Sequence, residues 1–134
     1  YQREEAWTWE HMALSRARLI CGNESLIAEA ELIVREVLSA DRDIAKVAHD
    51  VAEMRELIDK EKPPSGPWDL KLIPGGVIAL EFIAQYLALI APIRGVGIAV
   101  NGMSTGEALK VLGDPLMAKS DLDICLEAFT LYTG

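Results

Sequence analysis

Between Val77 and Ala91 the chain sets fifteen residues in a row of which only Glu81 and Gln85 are not apolar. A helix that is apolar around its whole circumference must be covered on every side, so this stretch predicts the central post of a bundle. The Pro-Gly-Gly break at 74–76 and Pro92 set its ends. Fifteen residues fall short of the roughly 20 that a bilayer span requires, which makes it a core helix. Glu81 and Gln85, four apart, share one face. A carboxylate there must be paired, protonated or turned to a polar cavity, because burying it alone costs several kcal/mol.

The remaining pattern is helical too. Ala6, Trp9, Ala13, Ala17 and Ile20 step by three and four from about Arg3 to Cys21, closed by Gly22. Asn23 suits an N-cap for a second helix through Leu26, Ile27, Ala30, Ile33, Val34, Val37 and Leu38 to Ala40. Asp41 or Asp43 caps a third, whose apolar positions run from Ile44 through Val47, Val51, Met54 and Leu57 to Ile58; KPPSGP ends it. Leu70 to Ile73 reads as a short extended segment, and IRGVGIAVNGMS after Pro92 as a long glycine-rich loop. Ser104 caps a helix to Leu112 with Gly113 as its stop, and Ser120 with Asp123 starts a last helix. The expectation is an all-α fold: a single helical domain over 1–134, with about five to six helices around a buried central helix at about 77–91.

Composition narrows the function classes. In 134 residues, 51% of them apolar, there is enough for one core without disulfides or metal. A formal net charge of −8, with basic residues interleaved among acids, speaks against nucleic acid and against an anionic membrane surface. Cys21 and Cys125 stand far apart in apolar helical contexts, which reads as buried free thiols in a reducing, cytoplasmic setting. The chain lacks an initiator Met and stops within a helical pattern, so a fragment of a longer protein is expected.

Three constellations could bear chemistry. Glu10 and His11 open helix one, and Arg16 and Arg18 follow one to two turns on; a bidentate pairing of Arg16 or Arg18 with Glu81 is the structural reading, anion binding the functional one. Lys71 with Pro74, Gly75 and Gly76 stands at the start of the central helix, where free amides and a positive helix end suit phosphate or carboxylate, though such glycines commonly just make a tight turn. Asp41/Asp43 and Asp121/Asp123 are D-x-D pairs, but at helix starts, where capping already favours Asp. His11 and His49 have no partner at metal-ligand spacing, and Gly95-Val96-Gly97 lacks the third glycine of a dinucleotide fingerprint. No metal site is expected.

Two long stretches, AWTWEHMALSRARLICG (Ala6 to Gly22) and WDLKLIPGGVIALEFIAQYL (Trp68 to Leu87), with EVLSADRD and VAEMR between them and ICLEAFTLYTG near the end, resemble the helical domain that follows a nucleotidyltransferase domain in glutamate-ammonia-ligase (glutamine synthetase) adenylyltransferases. WEHMALSRAR is similar to the second, adenylylating copy of that domain. Glu81 and Gln85 match the family, whereas Ala79 stands where it usually has aspartate. The resemblance implies a multidomain parent that transfers AMP from ATP, with Mg2+, to a tyrosine of glutamine synthetase and also removes it, under control of PII signal proteins and glutamine. The metal-binding aspartates would lie in an upstream nucleotidyltransferase domain, so this fragment should neither catalyse nor bind a cofactor by itself. Glu10, Arg16, Arg18, Lys71, Gly75, Gly76, Glu81 and Gln85 become candidates for the interface with that domain or for the vicinity of the nucleotide. The alternatives are the equivalent domain of a PII uridylyltransferase and a non-catalytic module that binds PII or glutamine synthetase.

Overall fold

The computed structural model describes residue 1 and residues 5–134, and among these the regular structure is entirely helical. Six helices follow one another: α1 (Thr8–Ser15), α2 (Glu24–Leu38), α3 (Ile44–Glu61), α4 (Val77–Ile90), α5 (Thr105–Leu116) and α6 (Lys119–Thr133). No described helix is long and apolar enough to cross a membrane.

The all-apolar stretch is the central post. α4 is in contact with α1, α3, α5 and α6, most extensively with α5. Leu80, Ala84, Leu87, Ala88, Leu89 and Ile90 are buried along it, and Leu109 and Leu112 of α5 are fully enclosed against them. Enclosing a leucine completely contributes roughly 1.5–3 kcal/mol, so the α4–α5 seam is the main apolar source of stability. Met12 of α1, Leu38 of α2, Val47 of α3 and Cys125 of α6 complete the core.

Local chemistry fixes the helix ends. Asn23 accepts the Ser25 N–H at 2.9 Å to start α2, and Asp43, not Asp41, starts α3 by accepting from the Ala45 N–H at 2.9 Å. Ser104 and Glu107 form a reciprocal capping box on α5. Arg42 closes α2 from beyond its end, donating to the carbonyls of Leu38 (3.0 Å), Ala40 (2.9 Å) and Val37. A cation there also meets the negative end of the helix.

Several expectations are corrected. Helix one spans Thr8–Ser15 rather than running to Cys21, and its expected start at Arg3 lies outside the described residues. Its last turn tightens, with the Arg16 N–H bonded to Ala13 O and the Ala17 N–H to Leu14 O, while the Ser15 carbonyl accepts from Gly102 N at 2.8 Å instead of continuing the helix. Cys21, in the segment after that end, is exposed; only Cys125 is buried. The 70–73 segment is a series of turns, not an extended strand, because its carbonyls are drawn to the start of α4. α5 passes through Gly113 to Leu116: that glycine gives room to Leu122 of α6, whose Cδ1 would stand 2.4 Å from an added Cβ. α6 starts at Lys119, before Ser120, and Ala118 rather than Ser120 occupies the N-cap.

α3 is joined to α1 by a polar tie. Thr8 Oγ1 donates to Asp50, which also accepts from Lys46 Nζ at 2.7 Å. These bonds, Lys46 first, hold the Asp50 carboxyl below its ordinary value. A carboxyl depressed in the folded state contributes stability above its unfolded value of about 3.9, and that contribution is lost as pH falls through the folded value. Replacing Asp50 with Asn should therefore cost about 1 kcal/mol at pH 7 and less at a pH below about 3.9, read from denaturant midpoints at the two pH values. An equal cost at both would show that the charge is irrelevant to the tie.

Gly76 is the tightest backbone position. A Cβ there would lie 2.5 Å from Leu70 O and 2.9 Å from Ile73 O, both backbone atoms unable to swing aside. Gly76→Ala should lower stability by roughly 2–3 kcal/mol. At Gly113 the obstructing atom belongs to a movable leucine side chain, so Gly113→Ala should cost less. The two melting transitions, recorded side by side, check the order.

Candidate functional site

Four of the sequence candidates meet on one face, built from the end of α1, the middle of α4 and the start of α5. α1 delivers Arg16 as its C-cap, and Arg16 Nη1 stands 3.4 Å from Glu81 Oε1 on α4. Their side chains are 46% and 30% exposed, so Glu81 lies at the bundle surface rather than within it, and the pair is an open ion pair. Gln85, one turn along α4, borders a crevice with Ser15, Arg16, Met103, Ser104 and Thr105. At about 10 Å³ it holds a water molecule at most.

The loop between α4 and α5 locks this face together. The Gly102 N–H donates to Ser15 O at 2.8 Å, and Ser15, itself buried, returns its hydroxyl to Met12 O at 2.7 Å. Gly102 has φ +75°, and a Cβ on it would come within 3.0 Å of Arg18 Cγ, so backbone conformation and the Arg18 stem both call for glycine. The Glu107 carboxyl is held below its ordinary value by its bonds to the Ser104 hydroxyl and amide, with the nearby Arg18 charge adding to the effect. Ser104 N–H donates to Glu107 Oε2 at 2.8 Å and the Ser104 hydroxyl at 2.7 Å. Arg16 and Arg18 are thus exposed cations, each beside one carboxylate, and the face can accept an anion or an acidic surface by exchanging those partners.

The other candidates stand apart from this group. Glu10 works at the opposite end of α1, where it accepts the Trp7 N–H at 2.8 Å and the Tyr1 hydroxyl at 2.7 Å. The Trp7 amide bond, then the Tyr1 hydroxyl, lower its carboxyl below the ordinary value. Lys71 is exposed, and its carbonyl accepts from Ile78 N at 3.2 Å. The Gly76 and Val77 amides are bonded to Ile73 O and Leu70 O, both at 2.9 Å. The amides of residues 76–78 are therefore filled from within, and Gly75, at φ +76°, makes the turn that brings the carbonyls round.

The D-x-D pairs serve the helices: Asp43 caps α3, and Asp123 lies 3.7 Å from Lys119 one turn before it. Among the described residues no group of three or more His, Cys, Asp or Glu side chains is placed to hold a metal ion. Two pairings were beyond the reach of the sequence reading. Thr8 meets Asp50 across 42 residues, and Arg18 influences Glu107 on a helix far along the chain; neither separation leaves a periodic signal. The Lys46–Asp50 half of the first was readable, since four residues on a helix make neighbours.

The profile of the glutamate-ammonia ligase adenylyltransferase family matches residues 1–33. Over 133 residues, 99% of this chain, it is 62% identical to the bifunctional glutamine synthetase adenylyltransferase/adenylyl-removing enzyme of Rhizobium meliloti (strain 1021). The enzyme of the same description from Agrobacterium fabrum is 59% identical over the same share, and that of Brucella suis biovar 1 is 49% identical over the full chain. The chain spans only 13–14% of the length of these relatives. No solved structure matches it. With identity of this order sustained from end to end, the chain is similar along its whole length to one short segment of bifunctional glutamine synthetase adenylyltransferase/adenylyl-removing enzymes.

Proposed function

We propose that the chain is an accessory helical domain of a bifunctional enzyme that attaches AMP to glutamine synthetase and removes it. The observation that carries this reading is the 62% identity over 99% of the chain to a 14% stretch of an enzyme so described. In the parent, AMP would pass from ATP, with Mg2+, to a tyrosine of glutamine synthetase inside an upstream nucleotidyltransferase domain, with a PII signal protein setting the direction. The helical segment would hold that domain and its protein target in register without taking part in bond making.

Its surface supports such a role. Trp7, Trp9, Leu19, Ile20, Leu26 and Ile33 are exposed, and all fall within the stretch that matches the family profile. Exposed apolar residues concentrated in this way fit a contact with another domain. Arg16 and Arg18 lie in the same stretch, and we assign them, with Glu81 and Gln85, to that contact or to the nucleotide beside it. Glu10, Lys71, Gly75 and Gly76 serve it indirectly, by fixing the starts of α1 and α4.

Two tests bear on this. The gene read in frame upstream should encode a Gly-Ser turn followed by a D-x-D strand; a start codon just before Tyr1 would leave no catalytic domain for the segment to serve. In the full-length protein, Glu81→Gln, Arg16→Gln and Arg18→Ala should each lower AMP transfer to glutamine synthetase about tenfold, the loss of one interfacial charge contact of about 1.4 kcal/mol. Their melting transitions should move by less than about 1 kcal/mol, since exposed pairs contribute no more than that. Unchanged transfer with reduced stability would reduce the Arg16–Glu81 pair to a brace.

A further inference from the structure

α4 has a second side that its neighbours leave open. Taking 100° per residue, Ala79, Phe82, Ile83 and Tyr86 centre about 150° round the helix from Glu81, nearly opposite the Arg16 contact. All four are only partly buried, while Leu80, Ala84, Leu87 and Ala88 are enclosed. With Ala48 and Ala52 of α3 they line a groove of about 370 Å³. Its polar groups are the Tyr86 hydroxyl and Arg55. The latter is engaged, ion-paired with Asp59 and directed to Leu72 O at 3.4 Å.

We propose that this groove is the seat of an apolar helix face supplied by the same polypeptide from outside these 134 residues. Three observations select that occupant. A groove lined by Ala48, Val51 and Ala52 on one helix and by Ala79, Phe82, Ile83 and Tyr86 on the other accepts the ridge of a further helix, and it lacks the several convergent polar groups that orient a small ligand. The segment is about one seventh of its relatives, so nearly all of the polypeptide lies outside it; a tethered helix is present at an effective concentration on the order of millimolar. A second copy of the segment would bring another net charge of −8 against the first. The groove is remote from the Arg16–Glu81 face, so its occupant and the partner of that face approach from different sides. The proposal rests on the functional reading only in taking the segment as part of a longer polypeptide.

The test uses the full-length protein with the photoreactive residue p-benzoylphenylalanine in place of Ala48. Irradiation should yield a gain of cross-linked product at the mass of one polypeptide, joined to a peptide outside these 134 residues. A product joining two copies, one confined to the 134 residues, or none above the unirradiated control would overturn the proposal. Should that variant not fold, hydroxyl-radical footprinting of the unaltered protein reads the same surface. Corrected for intrinsic reactivity, Phe82 and Tyr86 should lose labelling to the level of the enclosed Leu109 and Leu112; labelling clearly above that level would show an empty groove. AMP transfer enters neither readout, so a failure here is distinguishable from a failure of the functional reading.

Discussion

A helix without a polar side has no orientation in which water can satisfy it, and α4 imposes that demand on the helices around it. α5 answers it most fully, α1 and α3 flank it, and α6 reaches it through α5 and a smaller contact of its own. The two polar residues on its surface, Glu81 and Gln85, fall where α1 ends and α5 begins, at a border where water still has access. The position of the candidate face is thus a consequence of core packing: charge sits where the cover of α4 runs out.

The start of α4 shows how closely backbone and side chains are matched. Carbonyls of the 70–73 turns take up the first amides of the helix, which is possible only because residue 76 has no side chain. Pro-Gly-Gly could equally have opened a phosphate cradle or closed a turn, and the two differ only in which oxygen atoms fill the amides. In this protein those atoms are its own.

The helical class, the central post and the Asn23 and Ser104 caps were legible in the sequence because each is written in neighbouring residues: a period, a capping pair, a proline run. That Arg16 or Arg18 would meet Glu81 was legible for a different reason, since an acid on an apolar helix has few candidate partners; which arginine it is, and that the pair is open rather than bidentate, came from the structure. What escaped was set by contacts between distant elements. The end of α1 depends on Gly102, eighty-odd positions away, competing for the Ser15 carbonyl, and Gly113 reads as a helix stop until Leu122 is seen lying against it. Cys21, read as buried, is exposed because α1 ends before reaching it.

The bond from Gly102 to Ser15 also has a meaning in time. During synthesis Glu81 and Gly102, which anchor the end of α1, are added 65 and 87 positions after the residues they meet. At roughly 5–20 residues per second that is an interval of about 3–17 s. Until then α1 has only α2 and α3 to pack against, through contacts such as Thr8 with Asp50, and its C-terminal end lacks its partners. The nascent segment therefore passes through a stage in which α1 is held by the helices next to it in sequence while its C-terminal end waits for the loop that fixes it.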